Sequence, residues 1–443
     1  MIFDRVIHNG TIITVNPDFD IIEKGAVCIK DGRIERIEAS DGNLPLPEAE
    51  DVIDVKGGII MPGLVNTHTH LPMTLFRGLA DDLPLSVWLN EHIFPAERRH
   101  INPESVELGA LLACSEMLLS GTTTCCDGYF FEDHVAAALN KSGMRAVLGQ
   151  GVIDFPAPGV PDPSENIKNA VAFTKKWQGI SPLITPSIFC HSPYTCSIET
   201  LKKAKAAAAE NGLLFQIHVA ETKAERDQIQ SEHGATPVQY LDRIGVLDGN
   251  TLLVHGIWLD HDDIRIIARR RAKVSHNPES NMKLSAGISP VADLLKNGVT
   301  VGLGTDGCAS NNDLDLFQEM DMAAKLHKVD AFDPTVMDAR TVLKMATIKG
   351  AEAIGLDRDI GSLEIGKSAD LIVIDTAQPH LVPMYNPVSH IVYAVRGSDV
   401  RDVIVSGRAL VKDGNLTTID LEEILERVTE ISRIIKKNKG TLR

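Results

Sequence analysis

Between Gly58 and Thr305 eight short apolar runs alternate with helix-like stretches, and this alternation limits the possible folds more than any other feature. The runs are Gly58–Asn66, Thr122–Asp127, Arg145–Val152, Leu183–Cys190, Leu213–Val219, Thr251–Gly256, Lys273–His276 and Thr300–Thr305. Amphipathic segments such as Glu104–Ser120, Ile198–Asn211, Asp260–Arg270 and Leu314–Lys328 lie between them. Short apolar runs read as strands buried on both faces, and apolar residues at a 3.6-residue period read as helices covering them. Eight such pairs match an α/β chain folded as a (β/α)8 TIM-like barrel, which typically needs ~250 residues. A doubly wound open sheet is the other α/β option. It is disfavoured because polar residues fall at the ends of many different runs and do not gather at one crevice.

Both ends of the chain read differently. Val6–Ile13 looks like a strand pair around an Asn9-Gly10 turn, and Ala26–Ile34 repeats the device around Asp31-Gly32. Near the other end, Ala369–Ile374 and Val400–Val405 are followed by a Ser406-Gly407 turn and a further run to Gly414. The expectation is a small β-sandwich domain from both termini (1–58 and 366–420), a barrel domain at 59–365, and a C-terminal helix at 421–443.

Composition narrows the function. The 443 residues are 44% hydrophobic and 23% charged, the balance of a globular protein with a sizeable core. Sixty acidic residues against 44 basic ones leave a net charge of −16. That sign repels nucleic-acid phosphates and anionic membrane surfaces, so neither is an expected partner. Seven cysteines without a CxxC spacing point to no disulfide framework and no cysteine zinc site. With no apolar signal core at the N-terminus, the expected location is the cytoplasm. Barrels of this size often associate, so a homo-oligomer is an open expectation.

Chemistry-bearing residues sit at the ends of the apolar runs. In Thr67-His68-Thr69-His70, strand alternation turns both imidazoles to one face, where two nitrogens can meet one ion. His218 ends the fifth run, His255 the sixth and Asp306 the eighth. One such residue is more often a hydrogen-bonded core group than a ligand; five, all at barrel-strand ends, form a site. A catalytic metal needs about three protein ligands and an open position. His68, His70 and His218 offer neutral nitrogens and Asp306 an oxygen. An ion there lowers the pKa of water from ~15.7 toward about 7. Asp306 can take that water's proton and His255 can hydrogen-bond the water. Glu221, three residues past His218, can protonate a ring nitrogen while the neighbouring carbon is attacked. That is the chemistry of heteroaromatic deamination. The H-x-E with P-C-x-x-C signature of cytidine-type deaminases is absent.

The chain resembles the amidohydrolase superfamily from Gly63–His70 to Gly361–Leu371. Within it, Asn66–Asp82, His92–Glu97 and His276–Leu284 are similar to deaminases of 5′-methylthioadenosine and S-adenosylhomocysteine. The resemblance implies one divalent ion per chain on His68, His70, His218 and Asp306, with zinc the first expectation and iron, manganese or cobalt the alternatives. Two-metal relatives often bridge their ions with a lysine on the fourth strand, and Leu183–His191 contains none. The resemblance also implies that Glu221 and Asp306 contact the purine, that Glu97 accepts from the ribose hydroxyls, and that His191 touches the sugar or ring edge. Trp88 would pack on the nucleoside. Read alone, Glu97 is a surface residue paired with Arg98 or Arg99, His191 a core histidine and Trp88 plain core. One departure concerns the tail. Relatives commonly carry an arginine after the third strand, yet none occurs here between Arg145 and Arg226. Lys168 could serve only as a point charge, which turns the expectation toward methylthioadenosine or adenosine. A guanine deaminase or a triazine-type hydrolase is the alternative, since the same groups serve those reactions.

Overall fold

The structure, a computed structural model, describes residues 2–39 and 46–439. Residues 440–443 of the expected terminal helix lie outside them. Five strands come first: β1 (Phe3–Ile13), β2 (Ile21–Lys30), β3 (Arg33–Ala39), β4 (Ala49–Asp54) and β5 (Ile59–Pro62). Eight follow: β6 (Leu64–Thr69), β7 (Thr122–Tyr129), β8 (Arg145–Val152), β9 (Ile184–Cys190), β10 (Phe215–Val219), β11 (Thr251–His255), β12 (Lys273–His276) and β13 (Val301–Leu303). Four close the series: β14 (Leu371–Ile374), β15 (Val400–Val405), β16 (Arg408–Lys412) and β17 (Asn415–Leu416). The chain forms two compact units, one of Met1–Asn66, Ser115–Thr124 and Asp315–Ile419, the other of Thr67–Cys114, Cys125–Leu314 and Asp420–Arg443.

The first unit carries a mixed nine-stranded sheet in the order β17-β16-β15-β14-β5-β1-β2-β3, with β4 on β1. Strands from both termini share one core, where Ile7, Ile12, Val27 and Ile29 cluster with Leu371, Val373 and Ile404. Asp31 and Gly32 turn with φ of 49° and 75°, the left-handed pair a tight hairpin needs, and join β2 to β3. Asn9-Gly10 does otherwise. It does not separate two strands; it is a bulge inside β1, with Asn9 at φ 65° and the register to β2 shifting across it. A Cβ on Gly10 would lie 2.3 Å from Val55 Cγ2, so close strand packing, not a chain reversal, demands the glycine.

The run Gly58–Asn66 also divides. Ile59–Pro62 pairs with β1 and β14 in the terminal sheet, and only β6 enters the barrel. The break falls at Gly63, where a Cβ would sit 2.1 Å from Thr123 Oγ1.

The second sheet is the expected barrel: eight parallel strands in sequence order from β6 to β13. Every residue of β6, β7 and β8 is buried, as befits strands covered on both faces. Helices Ile198–Glu210 and His261–Arg270 begin at side-chain caps, Ser197 accepting from Thr200 N–H and Asp260 from the amides of Asp262 and Asp263. Such caps stop the preceding loops sharply and leave strand ends free for function. Among the described residues no helix is long and apolar enough to cross a membrane.

Candidate active site

The two histidines of Thr67–His70 lie on one side of the chain, as alternation requires, with Nε2 atoms 3.4 Å (His68) and 3.3 Å (His70) from Asp306 Oδ1. His218, arriving on β10, puts its Nε2 3.2 Å from that of His68. Ligand atoms bound about 2.0–2.1 Å from one tetrahedral ion lie roughly 3.3 Å apart. The three separations of 3.2, 3.3 and 3.4 Å match that spacing, and the ligand atoms gather in two sets that share His68: His68, His70 and Asp306 in one, His68, His218 and His255 in the other. Two histidine nitrogens and a carboxylate oxygen gathered in this way suit a divalent metal.

The surroundings fix each donor. His70 Nδ1 lies 2.7 Å from the Gly128 carbonyl, which can only accept, so Nδ1 carries the proton and Nε2 keeps its lone pair. Asp306 is held by three donors: Gly307 N–H to Oδ1 (2.8 Å), and the hydroxyls of Ser280 (2.7 Å) and Ser310 (2.9 Å) to Oδ2. Its own N–H donates to the His68 carbonyl at 3.0 Å, joining the end of β13 to β6. Burial drives the His68 pKa down to about 4, against the hydrogen bond to Asp306. Burial and the neighbouring imidazoles hold His218 well below its usual value. Both rings are therefore neutral, the state that can donate to a metal. At Asp306 burial pushes upward, but the hydrogen bond to His68 and the nearby histidines win, leaving it an ionised carboxylate.

Beside this cluster stand two proton-handling groups. Glu221, two residues past β10, has Oε1 3.9 Å from His255 Nε2 at the end of β11. Burial raises the Glu221 pKa, with His255 opposing and Asp306 reinforcing. Burial would lower His255, but the charges of Glu221 and Asp306 and the Asn281 hydrogen bond reverse this and leave it raised. His255 Nδ1 is 2.9 Å from Asn281 Oδ1, so its Nε2 is the nitrogen left for Glu221 and the cavity. Ala220, His255 and Asp306 all take left-handed backbone conformations, with φ of 53°, 73° and 61°. Non-glycine residues rarely do so, and such strain gathers at functional sites.

Eight of the nine expected residues line one cavity. His68 lies behind its wall, fully buried. Glu97 is no surface residue. It is 4% exposed and accepts the Tyr129 hydroxyl at 2.5 Å, while its neighbours Arg98 and Arg99 are exposed residues. Burial pushes its carboxyl up to about 7, the Tyr129 bond opposing. His191 joins the hydroxyls of Thr195 and Ser192 at 3.0 and 3.3 Å, and burial pushes its pKa down to about 4. Trp88 gives its indole N–H to Ala80 O at 3.0 Å, so it offers the cavity only an apolar face. The cavity lining includes no lysine or arginine. Lys168 is exposed, pairs with Glu165 at 2.5 Å, and does not line it.

Sequence reasoning missed several supports. Ser280 and Asn281 sit in the His276–Leu284 run without an assigned task, and Tyr129 and Ser310 carry no signature at all.

The sequence pattern of the amidohydrolase family matches residues 59–410, most of the chain. The chain belongs to the amidohydrolase family. It is 47% identical over 433 residues to a 5-methylthioadenosine/S-adenosylhomocysteine deaminase of Syntrophobacter fumaroxidans, covering 98% of each. It is 46% identical to a 5′-deoxyadenosine deaminase of Methanothermobacter thermautotrophicus, covering 94% of this chain and 97% of that one. Among solved structures, an adenosine deaminase from Xanthomonas campestris with bound zinc superimposes with a TM-score of 0.96 at 36% identity, covering 98% and 99% of the two chains. As in other members of the family, the chemistry to expect of this amidohydrolase is hydrolysis at a C–N bond.

Proposed function

We propose that this amidohydrolase deaminates an adenine nucleoside, 5′-methylthioadenosine and/or S-adenosylhomocysteine, with adenosine a further candidate. Water replaces the exocyclic amino group, giving the inosine analogue and ammonia. The observation that carries the reading is Glu97: a buried carboxyl lining the same cavity as Glu221, His255 and the histidine–aspartate cluster. A free base or a triazine has no diol to occupy such a group, and a ribose does.

In this reading His68, His70, His218 and Asp306 hold one divalent ion, zinc by preference and iron or manganese otherwise. When bound, the ion acidifies a water toward neutrality. Asp306, an ionised carboxylate, accepts a proton from the attacking water. Glu221, whose pKa burial raises, gives its proton to the ring nitrogen beside the attacked carbon. His255 Nε2 hydrogen-bonds the water from the side of Glu221. Glu97 receives the ribose hydroxyls, His191 contacts the sugar or ring edge, and Trp88 supplies an apolar wall. All nine residues fall in the span 59–365, which we take as the catalytic barrel domain, with 1–58 and 366–420 as the β-sandwich domain and 421–443 as the terminal helix.

The 5′ substituent follows from the lining. Apolar side chains including Leu85, Leu89 and Ile153 face this cavity, whereas Arg98, Lys223 and Lys283 line the groove that adjoins it and shares Leu85, Phe94 and His191 with it. A zwitterionic tail confined to the cavity would lose its hydration with no cation beside it, while a short uncharged 5′ group would not. We therefore place methylthioadenosine and adenosine above S-adenosylhomocysteine. Ammonia release from a panel of nucleosides, free bases and triazines tests the whole reading. Turnover of bases or triazines above nucleosides would overturn it, and a kcat/KM on S-adenosylhomocysteine equal to or above that on methylthioadenosine would overturn the tail preference.

A further inference from the structure

Glu225 is a buried carboxylate with no assigned task. It sits in the first turn of the helix Lys223–His233, whose N-cap is Thr222. Thr222-Lys223-Ala224-Glu225 has the spacing of a capping box, in which the glutamate would return to the amide of Thr222 itself. Only half of that box forms: Thr222 Oγ1 accepts from Glu225 N–H at 3.1 Å. The carboxylate reaches further back. Oε1 accepts from Ala220 N–H at 2.8 Å and Oε2 from Glu221 N–H at 2.9 Å. Two successive amides can converge on one carboxylate because Ala220 is left-handed, at φ 53°, a conformation that aims neighbouring N–H groups to the same side. The other face of the turn is tied to the end of β11. Ala220 O accepts from Ile257 N–H (3.0 Å) and Trp258 N–H (2.9 Å), and Val219 O from Gly256 N–H (3.1 Å). One side of the turn is thus fixed to the segment that follows His255, and the other is held by the Glu225 carboxylate.

We propose that Glu225 is a positioning residue for proton transfer: by clamping the amides of Ala220 and Glu221 it aims the Glu221 carboxyl at the substrate ring and at His255. The inference rests on Glu221 as the proton donor. A mere helix cap would affect stability, whereas a clamp on the donor affects the chemical step and leaves substrate binding in place.

The test compares Glu225→Gln, Glu225→Ala and Glu221→Gln in metal-loaded protein, with kcat and KM for methylthioadenosine, metal content, and folding by circular dichroism and thermal melting. Glutamine keeps one acceptor and turns an N–H donor on the other amide, so it breaks half the clamp. A misplacement of about 1 Å can cost roughly 100-fold in rate. The expected result is a kcat lowered about 10-fold in Glu225→Gln and about 100-fold in Glu225→Ala, with KM and metal content near wild type. A folded Glu225→Gln with wild-type kcat overturns the proposal. So does a fall in kcat that only tracks lost metal or lost folded protein in both variants. Should Glu225→Ala not fold, Glu225→Gln decides. Glu221→Gln separates the two levels. If it keeps full activity, the reading of the site fails and the clamp with it. If it is inactive while Glu225→Gln is fully active, the clamp alone fails.

Discussion

Replacing Glu97 by glutamine preserves shape and removes charge, which makes it the most direct probe of the nucleoside reading. The side chain is 4% exposed, and one oxygen already takes the Tyr129 hydroxyl at 2.5 Å. In the variant the amide oxygen keeps that bond and the NH₂ turns to the cavity, where it meets hydroxyl donors with a donor. At least one charged hydrogen bond is lost, worth about 1.5–3 kcal/mol. Since each 1.4 kcal/mol is tenfold, kcat/KM on a ribonucleoside should fall roughly 10- to 150-fold. The assay is ammonia release from adenosine and from 2′,3′-dideoxyadenosine by both proteins. It is best run about one pH unit above 7, the value to which burial raises this carboxyl, so that it is ionised. Removing the hydroxyls should cost wild type about as much as the mutation does, and should cost the variant little more, because each change deletes the same interaction. Two losses that simply multiply would show that Glu97 and the diol never meet, and the argument from its burial would be refuted.

Tyr129→Phe should raise KM for a nucleoside several-fold near neutral pH. The hydroxyl lowers the Glu97 pKa against burial, so its loss moves that pKa up and the carboxylate disappears at a higher pH as the solution is acidified. The excess KM should shrink as pH rises; a ratio constant with pH would contradict this. Dialysis against a chelator should abolish turnover and lower the melting temperature, since an ion that binds only the folded chain stabilises it. Zinc, or iron or manganese, should restore both at about one ion per chain, and full activity of stripped protein would sink the metal assignment. Gly304→Ala should cost about 1–3 kcal/mol in urea unfolding and weaken metal binding. Its Cβ would fall 2.5 Å from Asn277 Oδ1 and 2.8 Å from His68 N, beside a ligand. Wild-type stability and metal content would show that the seam can yield.

What could be read in advance follows from how local each signal is. Parallel strands buried on both faces appear as unbroken apolar runs, so β7 to β13 stand out, and His218, His255 and Asp306 are visible because a polar residue ending such a run is conspicuous. Where the outcome depends on a distant partner, the local pattern is ambiguous. Asn9-Gly10 fits a hairpin or a bulge equally well, and the proximity of Val55 and Gly58 decides for the bulge. Glu97 beside Arg98 and Arg99 looks like a solvated ion pair; what draws it inward is Tyr129, 32 residues away on β7. Glu225 makes the same point more sharply. Its spacing from Thr222 meets the condition for a helix cap, and half the cap forms. Yet the left-handed turn at Ala220 brings two other amides within reach, and a carboxylate does better with two donors than with one. A sequence pattern thus identifies which side chains can accept a hydrogen bond, and the backbone of the next loop selects which amide donates it. At this site that selection decides where Glu221 points.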